Sequence, residues 1–427
     1  MRNNELILYR NFGHEDILED VAKLAMGADV DDAQGLMHFV ANRLIELAAS
    51  HGYRGNLWQA YLTYIVANNE NAYSTACEIK GAVDGSINDV ALHDFEILRE
   101  LFAFDIASLD ETYGTDCMGL LVNYTSVDEK SKMFNKRIRD RILELMDQLN
   151  DASTGEDFKA KVTEFYKEFG VGKFGLHKAF RVDHDEEGVK ILPITNITHV
   201  YLEDLVGYES AKKKLTDNTE AFLAGRPANN CLLFGDAGTG KSSSIKGILN
   251  RYYEDGLRII EVYKHQFKDL NEIIAQIKNR NYRFIIYMDD LSFEDFEIEY
   301  KYLKAVIEGG LEKKPDNILI YATSNRRHIV REKFSDKEDR NDDLHTNDTV
   351  QEKLSLASRF GVSIFFTRPD KKEFNNIVKT LATRYNITMD EEELLLEANK
   401  WELSHGGLSG RTAQQFIDYL RGSYYGN

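Results

Sequence analysis

Cys231-Leu232-Leu233-Phe234-Gly235-Asp236-Ala237-Gly238-Thr239-Gly240-Lys241-Ser242 runs from an apolar stretch into a glycine-rich turn, and its last eight residues fit the pattern GxxxxGKS. The apolar residues Cys231–Phe234 read as a strand, and Ser243–Tyr253 as the helix that the turn opens. Each part of the pattern has a physical use. Glycines let a backbone turn tightly and come close to a phosphate. Successive N–H groups and the start of the following helix supply partial positive charge. Lys241 is placed to reach β and γ phosphates, and the Ser242 hydroxyl suits a hard cation such as Mg²⁺. The candidate phosphate-binding residues are therefore Gly235, Asp236, Ala237, Gly238, Thr239, Gly240, Lys241, Ser242 and Ser243.

Outward from this loop, strands and helices alternate. Leu257–Tyr263, Phe284–Met288, Ile318–Ala322 and Val362–Phe366 read as strands. Leu270–Lys278, Glu294–Glu308 and Val350–Arg359 read as helices between them. Near-continuous apolar strands joined by helices predict an α/β fold, with a parallel sheet covered on both faces. Ile285-Ile286-Tyr287-Met288-Asp289-Asp290 ends an apolar strand in two acids, one helix-strand-helix passage beyond Lys241. The carboxyl edge of such a sheet is where ligands bind. Asp289 is the candidate metal ligand, with Ser242. Asp290 is the candidate to orient or deprotonate a water, with Glu294 close enough to be its rival.

These residues resemble the AAA+ ATPases. Ile318-Leu319-Ile320-Tyr321-Ala322-Thr323-Ser324-Asn325 resembles the family's sensor-1 strand, which implies that Asn325, or Ser324 beside it, bonds the γ-phosphate or the water. Leu356-Ala357-Ser358-Arg359-Phe360-Gly361 resembles the segment that carries the arginine finger in replication initiators, which implies that Arg359 reaches into a neighbouring subunit's site. Gly406-Gly407-Leu408-Ser409-Gly410-Arg411 resembles the start of the sensor-2 helix, capped by Ser409 or Gly410. Arg411 falls in the first turn, where a cation opposes the macrodipole, and this points to a ligand for it. Asp204-Leu205-Val206-Gly207-Tyr208 resembles the box near adenine, with Val206, Gly207 and Tyr208 lining the base pocket. The runs Glu261-Val262-Tyr263-Lys264-His265 and Asp289-Asp290-Leu291-Ser292-Phe293-Glu294 look closest to a bacterial AAA+ family labelled "predicted ATPase".

The resemblance covers about residues 200 to 420. It implies a five-stranded sheet with a C-terminal helical lid, ATP and Mg²⁺ as ligands, and assembly of copies into a closed or open ring. Two features depart from the family. Asp290 stands where Glu is usual, which opens the identity of the base. Tyr263-Lys264-His265-Gln266-Phe267 lacks the aromatic-apolar-glycine loop that threads polypeptides, so Tyr263 and Phe267 are expected to pack.

The expected domains are a mainly helical segment over 1–177, a β-hairpin joint over 178–198, a nucleotide-binding domain over 199–368 and a lid over 369–427. In the first, Leu36, Phe39, Val40, Leu44 and Leu47 recur at helical spacing, as do Ile138, Ile142, Leu143, Leu145 and Met146. Asn56 or Gly55 starts a helix carrying Leu57 and Tyr61. The hairpin turns at Asp185-Glu186-Glu187-Gly188. The charged stretch 328–348 reads as a surface loop or a partner-docking segment.

A net charge of −18 argues against non-specific nucleic-acid binding as a default, while leaving a local basic patch open. Cys77, Cys117 and Cys231 are scattered and fit buried reduced thiols. No secretory leader or membrane-length apolar run is apparent, so a cytoplasmic protein without a membrane is expected. Three functional readings stand at this point. The first is an ATPase that remodels a macromolecule, with a protein partner held by the N-terminal helices. The second is a slow-turnover switch or loader. The third is a DNA-acting factor.

Overall fold

A computed structural model describes residues 1–27, 31–125, 134–186, 188–195, 197–198, 200–293, 298–308, 315–325, 356 and 358–424. They divide into two compact units, Met1–His177 and Lys178–Asn427.

The first unit is helical. Its helices are α1 (Glu15–Ala25), α2 (Ala33–His51), α3 (Leu57–Asn68), α4 (Ala72–Cys77), α5 (Ile87–Phe102), α6 (Ser108–Tyr113), α7 (Lys136–Asn150), α8 (Gly155–Phe169) and α9 (Gly172–Leu176). Short polar side chains start many of them. Asn56 caps α3 by accepting from the Trp58 and Gln59 amides, and Asn71, Asn135 and Thr154 do the same for α4, α7 and α8. Gly55 instead bridges to Tyr124. Val40, Leu44 and Leu47 of α2 enter the core, but Phe39 is half exposed. The apolar stripe of α2 is narrower than its spacing suggested, and the Arg43 guanidinium lies over the outlying Phe39 ring at 4.7 Å. The fully buried Asp94 carboxylate accepts the Ile7, Leu8 and Tyr9 amides and ties the N-terminal segment to α5.

The second unit is built on seven strands: β1 (Ala179–Asp185), β2 (Gly188–Pro193), β3 (Cys231–Gly235), β4 (Leu257–Glu261), β5 (Arg283–Met288), β6 (Ile318–Ser324) and β7 (Val362–Phe366). Their order is β2-β1-β4-β5-β6-β3-β7. All pairs are parallel except β1 with β2. The expectation of five strands is thus corrected to seven. The hairpin is no joint but the sheet's far edge, because Ala179, Phe180 and Arg181 pair in register with Ile259, Ile260 and Glu261. Every residue of β6, and all of β5 after Arg283, is buried, as strands covered on both faces require.

Helices α10 (Glu209–Leu223), α11 (Lys241–Tyr252), α12 (Leu270–Ile277) and α13 (Glu299–Glu308) belong with the sheet. Then α14 (Lys371–Arg384), α15 (Glu391–Ser404) and α16 (Gly410–Tyr424) form a helical cluster around Phe374, Val378, Ala398, Phe416 and Ile417. The chain leaves β3 in one direction toward β4 and returns to its other side as β7. That reversal creates a crevice at the carboxyl ends of β3, β5 and β6.

Candidate functional site

Gly235 closes β3 at φ 136°, and a Cβ there would lie 2.0 Å from the Phe366 carbonyl oxygen. Only glycine lets the loop leave the sheet this close to β7. Gly238, at φ 74°, faces the turn before α16. The Arg411 amide donates to its carbonyl at 3.2 Å, and a Cβ there would meet Ser409 and Arg411 at 3.0–3.1 Å. The loop then opens α11 at Lys241, whose Nζ donates to Gly235 O at 2.9 Å, Asp236 O at 2.6 Å and Asn325 Oδ1 at 2.9 Å. Burial pulls the Lys241 pKa below its ordinary value, against the attraction of Asp290, Asp236 and Asp289.

The two acids sit directly across from this loop. One oxygen of Asp289 accepts from Ser242 Oγ at 2.7 Å, Tyr287 OH at 2.7 Å and Thr323 Oγ1 at 2.5 Å. Burial alone would raise the Asp289 pKa, but the bonds from Thr323, Tyr287, Ser242 and the Asp290 amide outweigh it and hold the carboxyl below its usual range. Asp290 adopts the left-handed region at φ 50°, an uncommon placement for a residue with a side chain. Its amide donates to Thr323 Oγ1 at 2.9 Å, and its carboxylate accepts from Asn325 Nδ2 at 2.6 Å. Thr323 therefore secures both acids from the neighbouring strand. Ser324 is fully buried, so the strand presents Asn325 to the crevice.

Loop, acids and helical cluster enclose a cavity of about 810 Å³, within the range of small-molecule sites. Val206, Tyr208, Ala237 to Ser243, Asp289, Asp290, Asn325 and Arg411 line it. Gly207, Gly235 and Asp236 do not. Gly207 is exposed, Gly235 is buried against β7, and Asp236 accepts the Arg368 amide. The Tyr208 ring packs on Phe366 at 5.4 Å, and its hydroxyl is buried with no hydrogen-bond partner among the described residues. Burial pushes that phenol up to about 12. Ser409, rather than Gly410, caps α16 by accepting the Thr412 amide at 3.1 Å. This sets Arg411 in the first turn, on the cavity wall.

Arg359 lies outside this cavity and pairs with Glu308. Glu294 and the charged stretch 328–348 fall outside the described residues. Phe267 packs as expected, whereas Tyr263 is half exposed; its hydroxyl donates to Glu261 and its ring stacks on His265. The three cysteines are free and buried.

Sequence reasoning missed Thr323, Tyr287 and Arg384. The first two were visible as hydroxyl-bearing residues in otherwise apolar strands. Arg384 of α14 pairs with Asp204 at 3.4 Å and donates to its carbonyl at 3.1 Å, a bond across 180 residues that no local pattern announces. Among the described residues no three His, Cys, Asp or Glu side chains cluster as a metal cage. One hydroxyl and one carboxylate in contact are instead the sparse protein set that Mg²⁺ takes beside phosphates.

Strand, glycine loop and helix in this order place the second unit in the P-loop α/β class. The chain belongs to the family described as "Protein of unknown function (DUF815)", whose model matches residues 175–424. No curated protein matches the sequence. Among solved structures, a point mutant of RuvB from Thermotoga maritima is similar at 17% identity and a TM-score of 0.38, over 53% of this chain and 66% of that one. A second RuvB point mutant follows at 17% and 0.36, over 52% and 65%. The Thermotoga maritima RuvB Holliday junction branch migration motor gives 15% and 0.33, over 52% and 72%. The chain thus spans just under two thirds of the first two structures. Among the described residues no helix is long and apolar enough to cross a membrane.

Proposed function

We propose that the second unit is an AAA+ type ATPase that binds ATP in the 810 Å³ cavity and hydrolyses its γ-phosphate bond. The observation that carries this reading is the convergence at the loop of two hydrogen-bonded groups, Asn325 with Lys241 and Asp290, and Ser242 with Asp289. In this reading the loop amides and Lys241 hold the β and γ phosphates. Ser242 and Asp289 would hold Mg²⁺, which would neutralise phosphate charge. Asp290 would orient the attacking water, with Asn325 and Arg411 at the γ-phosphate. Val206 and Tyr208 would flank the base. Arg359, outside its own cavity, would serve the site of a second copy, which makes the active form an oligomer acting on a macromolecular partner.

The arrangement favours one second reading, a slow-turnover switch or loader. Asp290 accepts from Asn325 at 2.6 Å through one carboxylate oxygen, which leaves it fewer lone pairs with which to take a water's proton.

Steady-state ATP hydrolysis against protein concentration, with Lys241→Ala as the blank, separates the readings. Specific activity that rises with concentration supports a shared, oligomeric site. ATP binding with near-zero turnover supports the switch. Absence of ATP binding removes both.

A further inference from the structure

We infer that Glu308 holds Arg359 within its own chain and withholds it from a second copy until that copy's nucleotide replaces the carboxylate, an inference that rests on the proposed shared site. Glu308 is the last residue of α13, and Arg359 stands just ahead of β7. Their side chains pair, and each is about one third exposed, at 33% and 32%. The pair is therefore open to a competitor from outside the chain.

The placement of the acid is unusual. A carboxylate at a helix C-terminus meets the negative end of the macrodipole. No basic side chain falls in the last turn of α13 to offset it. An acid set against this bias needs a cation from elsewhere, and the one it meets is Arg359.

The arginine is incompletely satisfied. A guanidinium carries five N–H donors and no acceptor. Arg359 turns Nη1 to Glu308, while its Nε–H is buried with no hydrogen-bond partner among the described residues. One carboxylate thus answers its charge and leaves donors over for another anion.

An arginine finger works by bringing positive charge to a phosphoryl group in transfer. Paired with Glu308, Arg359 brings no net charge, and the carboxylate beside it repels phosphate oxygens. The phosphate of a second copy must displace Glu308 before Arg359 can act there. Glu308 therefore raises the protein concentration at which the shared site forms. This is opposite in sign to a positioning role: an acid that only aimed Arg359 would lower turnover when neutralised.

The test is the specific rate of ATP hydrolysis against protein concentration, with the full chain. Glu308→Gln keeps the side chain's shape and removes its charge. It should reach half its maximal rate at about two- to fivefold lower protein concentration than the parent, the scale of one partly exposed ion pair. The gain should vanish when Arg359→Ala is also present. A midpoint that stays or rises, or a lowered plateau, overturns the inference and leaves the proposed ATPase standing. A second readout needs no turnover. By sedimentation, Glu308→Gln should associate more tightly than the parent, by the same factor, with a non-hydrolysable ATP analogue bound and not without it. No tightening with the analogue, equal tightening without it, or tightening that survives Arg359→Ala overturns the inference. If Arg359→Ala alone hydrolyses ATP as the parent does, the finger assignment fails and the inference with it.

Discussion

Ser242 Oγ and Asp289 Oδ1 lie 2.7 Å apart, so the hydroxyl and the carboxylate that would share a divalent cation already stand within one hydrogen bond. The same oxygen also accepts from Tyr287 and Thr323, which approach from β5 and β6. Three hydroxyls thus set the direction in which Asp289 presents its charge.

Tyr287→Phe and Thr323→Val test that positioning. Each removes one hydroxyl and preserves shape, and each should weaken apparent Mg²⁺ affinity by about 10- to 100-fold, the usual effect of losing an outer partner of a metal ligand. A Mg²⁺ titration of ATP hydrolysis checks it. Asp289→Asn should be more severe than either.

The same hydrogen bonds make a pH prediction. The folded Asp289 pKa lies below its unfolded value of about 3.9. Its contribution to stability is therefore present above roughly pH 4 and is lost as pH falls through the folded pKa. Thr323→Val should move the acid unfolding midpoint upward, as followed by circular dichroism.

Lys241 titrates in the opposite sense. Its folded pKa is pulled below 10.5, so stability of the ligand-free chain should rise with pH between the folded pKa and that value. A bound polyphosphate favours the charged ammonium and should raise the pKa. ATP binding at alkaline pH should then take up a proton, and affinity should fall as pH rises further. Calorimetry in two buffers of different ionisation enthalpy measures the uptake; none at any alkaline pH would separate Lys241 from the phosphates.

Gly235→Ala should be among the most damaging single substitutions in the second unit. The added methyl would sit 2.0 Å from the Phe366 carbonyl oxygen, at a φ of 136° that side chains rarely adopt. A loss of about 3 kcal/mol or more is expected. Ser409→Ala, which removes only the α16 cap, should cost about 1 kcal/mol. Thermal melts of the two variants give the comparison.

Arg359→Ala should leave ATP affinity nearly intact and lower turnover by about 10³-fold or more, the scale of an arginine finger. Mixing it with Lys241→Ala should restore some activity, since each variant would supply what the other lacks. Turnover unaffected by Arg359→Ala would remove the finger assignment.

The local sequence determined the phosphate loop, the strands that flank it and the acids at their ends. Glycine spacing, apolar runs and a strand-ending Asp pair are properties of neighbouring residues, and their physics acts over a few bonds. Asn56 and Ser409 also declared themselves as caps, although the choice between each and its glycine neighbour waited for the amides they bind. What only the tertiary structure decided involves partners far apart in the chain. The hairpin from Ala179 joined the sheet because β4 offered it an open edge. Phe39 stayed outside its core because the apolar stripe of α2 is set by what packs on it. Thr323 became the clasp of both acids because β6 lies beside β5. Asn325 stands between Lys241 and Asp290 for the same topological reason. Hydrogen bonds between strands depend on sheet order, and sheet order is a global outcome that no short window of residues contains.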